Sequence, residues 1–133
     1  MITTDQARRV IAAGEARATE MGVVVNIAVL DAGASLKAFS RMDGAVLGSI
    51  DVALGKARTA ALFQTTSEAV WDYCKPGAPA PGLDRSNGGL MTFAGGIPLL
   101  GADGAMIGAV GVSGGAVSQD LEIARAAAAA LSR

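Results

Sequence analysis

Apolar residues recur at helical spacing near the N-terminus, at Ala7, Val10, Ile11, Gly14, Ala18 and Met21, while Arg8, Arg9, Glu15, Arg17 and Glu20 fall mainly on the other side. Thr3 or Thr4 supplies an N-cap, Gln6 completes a capping box with Thr3, and Gly22 supplies the stop. An amphipathic helix with a solvated charged face is expected. The period then changes. Residues 23–31 form an aliphatic run that reads as a buried strand, Ala32 and Gly33 as a turn, and residues 35–41 as the hairpin partner, closed by Met42-Asp43-Gly44. From about 46 to 63 the chain is apolar nearly all round, which predicts a helix held between layers or against another subunit. A short helix over 67–74 carries Glu68, Trp71, Asp72 and Tyr73. The segment 75–82, KPGAPAPG, has three prolines and two glycines and must be an extended loop within the domain. Aliphatic runs at 97–100 and 106–112, with Asp103-Gly104 between them, predict a second hairpin feeding a charged, Ala-rich helix from Asp120 onwards. The order is αββααββα, in one domain over 1–133.

Three places along this pattern carry candidate chemistry. The glycine-dense stretch from Gly95 to Gly115 ends in a turn that opens a helix, so the amides of Ser113, Gly114 and Gly115 point outward at the positive end of the helix dipole, where an anion such as a carboxylate binds. The same glycines equally serve positive φ and close packing. On the apolar helix, Asp51 and Arg58 share a face two turns apart, whereas Lys56 points about 140° away from Asp51. Its ammonium either snorkels to the helix edge, pairs with an acid from another element, or sits partly desolvated beside a pocket as carboxylate anchor or base. The densest polar cluster is Leu83-Asp84-Arg85-Ser86-Asn87-Gly88-Gly89. Arg85 offers a planar fork for a carboxylate, Asp84 a general acid or base, and Asn87 an orienting amide; a merely solvated loop has the same composition.

Composition narrows the functions. Net charge is −1, from 11 basic and 12 acidic residues with no long run of either sign, which argues against nucleic acid or an anionic membrane as partner. The longest charge-free apolar segment, 105–117, is 13 residues with four glycines, short of the ~20 a membrane helix needs. Cys74 is the single cysteine, the N-terminus has no signal-like apolar core, and a cytoplasmic location is expected. The chain has no histidine, which removes Ser-His and Cys-His nucleophiles, His-ligated zinc or haem, and His acid–base catalysis. Asp43, Asp51, Asp84 and Asp103 follow no metal motif, so no metal is expected. Phosphate-loop and dinucleotide-binding patterns are absent as well. With 51% hydrophobic but only 4% aromatic residues, the core must be Ala, Val, Leu and Ile, and such smooth helices favour packing between subunits.

The runs Ala53-Leu54-Gly55-Lys56-Ala57-Arg58-Thr59-Ala60, Gly95-Gly96-Ile97-Pro98, Asp103-Gly104 and Ile107 to Gly115, with Asp120, resemble the GlcG/HbpS family and the carboxy-terminal domain of PduO-type adenosyltransferases. The resemblance covers nearly the whole chain. It implies an α/β, profilin-like sandwich, with an antiparallel sheet of about four to five strands between helices, assembled into homo-oligomers larger than dimers. It also implies a haem or corrinoid ligand. Lacking histidine, this chain departs from a histidine-ligated site, leaving Met, Tyr, Cys, Lys or a Thr hydroxyl as axial group. Two functions stay open. One is an oligomeric binding protein holding an organic carboxylate or a tetrapyrrole through the glycine turn and Lys56/Arg85. The other is a cofactor-independent isomerase, tautomerase or lyase on a small carboxylic acid, with Arg85 as clamp and Asp84 or Lys56 as proton-transfer group.

Overall fold

The computed structural model describes residues 1–132. Helix α1 (Thr4–Met21) starts at the expected box: Gln6 N–H donates to Thr3 Oγ1 at 3.1 Å and Thr3 N–H to Gln6 Oε1 at 2.9 Å. It ends at Gly22, whose φ of 72° lets its N–H reach the Ala18 and Thr19 carbonyls. Thr3→Ala removes one half of the box and is expected to cost about 1 kcal/mol, read as a fall of about 4 °C in thermal midpoint.

Four strands form one antiparallel sheet: β1 (Asn26–Asp31), β2 (Leu36–Arg41), β3 (Gly96–Leu100) and β4 (Met106–Ser113), in the order β2-β1-β4-β3. β1 begins later than its aliphatic run because Val23 N–H is held by the Ala18 carbonyl at the end of α1. Strand alternation sends Ile27 and Val29 to one face and Ala28 and Leu30 to the other. On the first face, Val110, Val112 and Leu99 join Val10 of α1 and Ile123 and Ala127 of α4 (Val117–Ala129) in the main core. Helix α4 starts before Asp120, because the Gln119 side chain accepts the Ala116 N–H at 2.9 Å and caps a helix whose N-cap residue has no polar side chain.

The second face receives α2 (Gly48–Phe63), which begins after the exposed Val46 and Leu47; α3 (Ser67–Cys74) packs beside it. Side chains under α2 are small: Ala28, Ala109, Gly96 and Gly111. Gly96 and Gly111 are partners in register on neighbouring strands. A Cβ on Gly96 would strike the Lys56 carbonyl oxygen, and one on Gly111 the Ala53 carbonyl oxygen. The backbone of α2 thus lies directly on the sheet, and this close approach is what much of the glycine-dense stretch serves. The polar cluster after the proline loop makes a single 3-10 turn, Leu83–Arg85.

Candidate functional site

The α2 backbone rests so close to the sheet that Lys56 cannot lie between the layers except by running along them. Its side chain is completely buried, and its Nζ donates to Val112 O at 2.8 Å and to Asp120 Oδ2 at 3.1 Å. Asp120 stands in the first turn of α4, where the helix dipole favours an anion, and its Oδ1 accepts Gly115 N–H at 2.9 Å. The outward amide of the glycine turn therefore receives a carboxylate, and that carboxylate is the chain's own. Gly114 turns the chain there with φ 138°, a conformation L side chains rarely adopt. Ser113 is buried at the end of β4, opposite Asn26. Burial pushes Lys56 down and Asp120 up from their ordinary values, and their mutual attraction opposes both shifts. The pair holds α2, β4 and α4 together.

Above this pair the surface becomes aromatic. The Phe93 ring centroid lies 4.9 Å from Lys56 Nζ, a cation–π contact that seals the ammonium from solvent. Ser67, at the start of α3, fixes the loop that carries Phe93: its hydroxyl donates to Phe93 O at 2.7 Å and accepts Gly96 N–H at 2.9 Å. Phe93, Trp71, Ala94, Thr92, Val117 and Glu68 line a groove of about 470 Å³. Trp71 is 41% exposed and Phe93 43%. Glu68 has a buried Oε1 without a hydrogen-bond partner, so a carboxylate oxygen on this groove is left to accept a donor or bind a cation.

Trp71 is also the wall of a second groove, of about 320 Å³, lined by Cys74, Pro76, Pro81, Gly82, Asp84 and Arg85. Asp84 and Arg85 thus stand together, across Trp71 from the aromatic groove and apart from Lys56, which is sealed in the core. Asp84 and Lys56, the two alternative proton-transfer groups, line no common cavity among those described. Asn87 belongs to a third place, where its carbonyl accepts Arg58 Nη1 at 2.6 Å and its side chain donates to Ser86 Oγ at 3.0 Å. Sequence patterning did not single out Phe93 or the unpartnered buried oxygen of Glu68. The available signal was an aromatic residue stranded in a loop just after Gly88-Gly89, since large apolar side chains on loops have no core face to fill.

Among the described residues no group of three or more Cys, Asp or Glu side chains gathers to hold a metal ion, and no helix is long and apolar enough to cross a membrane. Groups on the aromatic groove able to ligate a metal already held by an organic ligand are the Glu68 carboxylate and the Thr92 hydroxyl.

Comparison with known proteins agrees with this architecture. The family described as "Haem degrading protein HbpS-like" matches residues 2–129. The uncharacterized 15.0 kDa protein in the dhaT-dhaS intergenic region of Citrobacter freundii is 39% identical over 127 residues, spanning 95% of this chain and 89% of that protein. Corrinoid adenosyltransferase PduO of Salmonella typhimurium is 39% identical over 116 residues, which make up 86% of this chain but 34% of that longer protein. The crystal structure of a PduOC:heme complex superimposes with a TM-score of 0.91 at 35% identity, covering 98% of this chain and 95% of that one. With a family match over nearly its full length and the same four-stranded sandwich of sheet and helices, the chain belongs to the HbpS-like family.

Proposed function

We propose that the protein is a homo-oligomeric binder of a flat organic carboxylate, with a tetrapyrrole as the ligand class that the aromatic groove suits best. The observation that carries this is the placement of aromatics. In a chain with one Trp, one Tyr and three Phe, Trp71 and Phe93 are both partly exposed, 41% and 43%, on a single groove. Leaving that surface in water forgoes part of the roughly 1.5–3 kcal/mol that full burial of each ring would bring, which a stacked ligand face recovers. Arg85 lies across Trp71 and presents its guanidinium to a carboxylate at the ligand's edge. The heme complex of the PduOC relative supports the ligand class, and the Glu68 carboxylate and Thr92 hydroxyl are the oxygen groups on this groove that would hold a metal carried by such a ligand. Exposed Leu36, Val46, Leu47 and Leu100 give the monomer apolar surface that assembly would cover.

Trp71 is the only tryptophan and stands between the aromatic and Arg85 grooves, so its fluorescence reports this region alone. Titration with protoporphyrin IX is expected to quench it saturably. Arg85→Ala is expected to weaken that binding about tenfold, the loss of one solvent-exposed charge-assisted contact, while the thermal midpoint moves by no more than about 2 °C. Quenching that never saturates removes the proposal; a collapsed midpoint in Arg85→Ala makes Arg85 structural.

A further inference from the structure

The Asp51/Arg58 face of α2 opens on a different cavity. Leu30, Leu54, Leu90 and Met91 are apolar walls of a cleft of about 360 Å³, and Arg58, Asp51 and the Gly88-Gly89 backbone supply its polar groups. The Met91 side chain fills the place that a Cβ on Gly55 would take, so the absent side chain at Gly55 shapes the floor. Arg58 is half-buried and fixed through Nη1 by the Asn87 carbonyl, yet it forms no salt bridge among the described residues. A held guanidinium with free donors, at the end of an aliphatic cleft, is a carboxylate seat. Asp51 sits two turns away on the same face, about 10 Å along the helix axis, and is exposed. Its charge opposes any second anionic end.

From this juxtaposition we propose that the cleft is a second small-molecule site, separate from the aromatic groove, that takes an aliphatic monocarboxylate and rejects dicarboxylates of the same length. The carboxylate pairs with Arg58; the alkyl chain lies against Leu54, Leu90 and Met91.

The test is a methyl-detected NMR titration of the intact protein with hexanoate and with adipate. Hexanoate is expected to shift the Leu54, Leu90 and Met91 methyls saturably while leaving the Val117 methyls and the Trp71 indole unmoved. Adipate is expected to bind at least tenfold more weakly, and Asp51→Asn to close most of that gap. Arg58→Gln is expected to weaken hexanoate at least tenfold. Should Arg58→Gln fail to fold for want of its tether to Asn87, the wild-type methyl map and the hexanoate/adipate ratio still decide. Shifts confined to the Trp71 groove, equal binding of the two acids, no saturable shift at millimolar hexanoate, or unchanged affinity in a folded Arg58→Gln protein each overturn the proposal.

Discussion

Replacing Asp120 with asparagine is expected to destabilise the protein by about 3–5 kcal/mol, the usual cost of removing one partner from a buried ion pair. Asparagine keeps an oxygen for Gly115 N–H but turns an amide towards the Lys56 ammonium, which then has the Val112 carbonyl, the Phe93 ring and the more distant charge of Glu68. Against a total stability of roughly 5–15 kcal/mol, this is a large loss. The sign of its pH dependence follows from Lys56. Burial already holds its pKa below the ordinary 10.5, and Asp120 is what pulls it back up. Without Asp120 the folded value falls further, so between that value and 10.5 the folded chain binds fewer protons than the unfolded one, and stability rises with pH across that window. The deficit of Asp120→Asn relative to the parent should therefore shrink as urea unfolding is moved from neutral to alkaline pH. A companion double variant, Lys56→Met with Asp120→Leu, should recover most of the loss, since no charge is then left buried. A deficit that is small at neutral pH, or that widens with pH, would show that water reaches the pair.

Gly111→Ala should be comparably damaging for a different reason. A methyl group at that position occupies the space of the Ala53 carbonyl oxygen and lies within 3.0 Å of Ala57 Cβ, and its register partner Gly96 already carries the Lys56 carbonyl. Relief requires α2 to lift off the sheet along its length, because the contact is backbone on backbone. A loss of about 3 kcal/mol, the upper end of the overpacking range, is expected, and Gly111→Val should leave little folded protein. The control is Gly48→Ala at the start of α2, where a Cβ meets nothing within 4 Å. There the better helix former should be neutral or stabilising by up to about 1 kcal/mol. Urea midpoints of the three variants separate close packing from a general intolerance of glycine substitution.

Much of the fold was legible from periodicity. The capping box at Thr3 and Gln6, the stop at Gly22 and the span of α3 were all read from local signals, because caps and breakers act through neighbouring backbone groups. The start of α4 was less visible, since its N-terminus is held by the Gln119 side chain and its N-cap residue is alanine. The site was harder. Lys56 stood out as a lone charge on an apolar helix, but its partner lies 64 positions away in sequence, and no local rule pairs Lys56 with Asp120. The amides of the glycine turn were expected to receive a ligand's anion; Gly115 N–H instead donates to Asp120, and that depended on how α4 docks on β4. Arg85 and Trp71 were noticed separately, and only the path of the proline loop brings them onto one groove. Phe93 lay in a segment without period, so nothing in the pattern marked it as the cover of Lys56.

The most direct test is native mass spectrometry of the protein purified from its own host, followed by denaturation to release any bound molecule and an absorbance scan of what is released. The expected result is an oligomer carrying a flat carboxylate, with a Soret band if it is a tetrapyrrole, whose occupancy falls sharply in a folded Trp71→Ala, Arg85→Ala double variant. Bare polypeptide masses that take up no protoporphyrin IX, or a bound molecule retained undiminished by the double variant, would contradict the assignment of the Trp71 groove as the binding site.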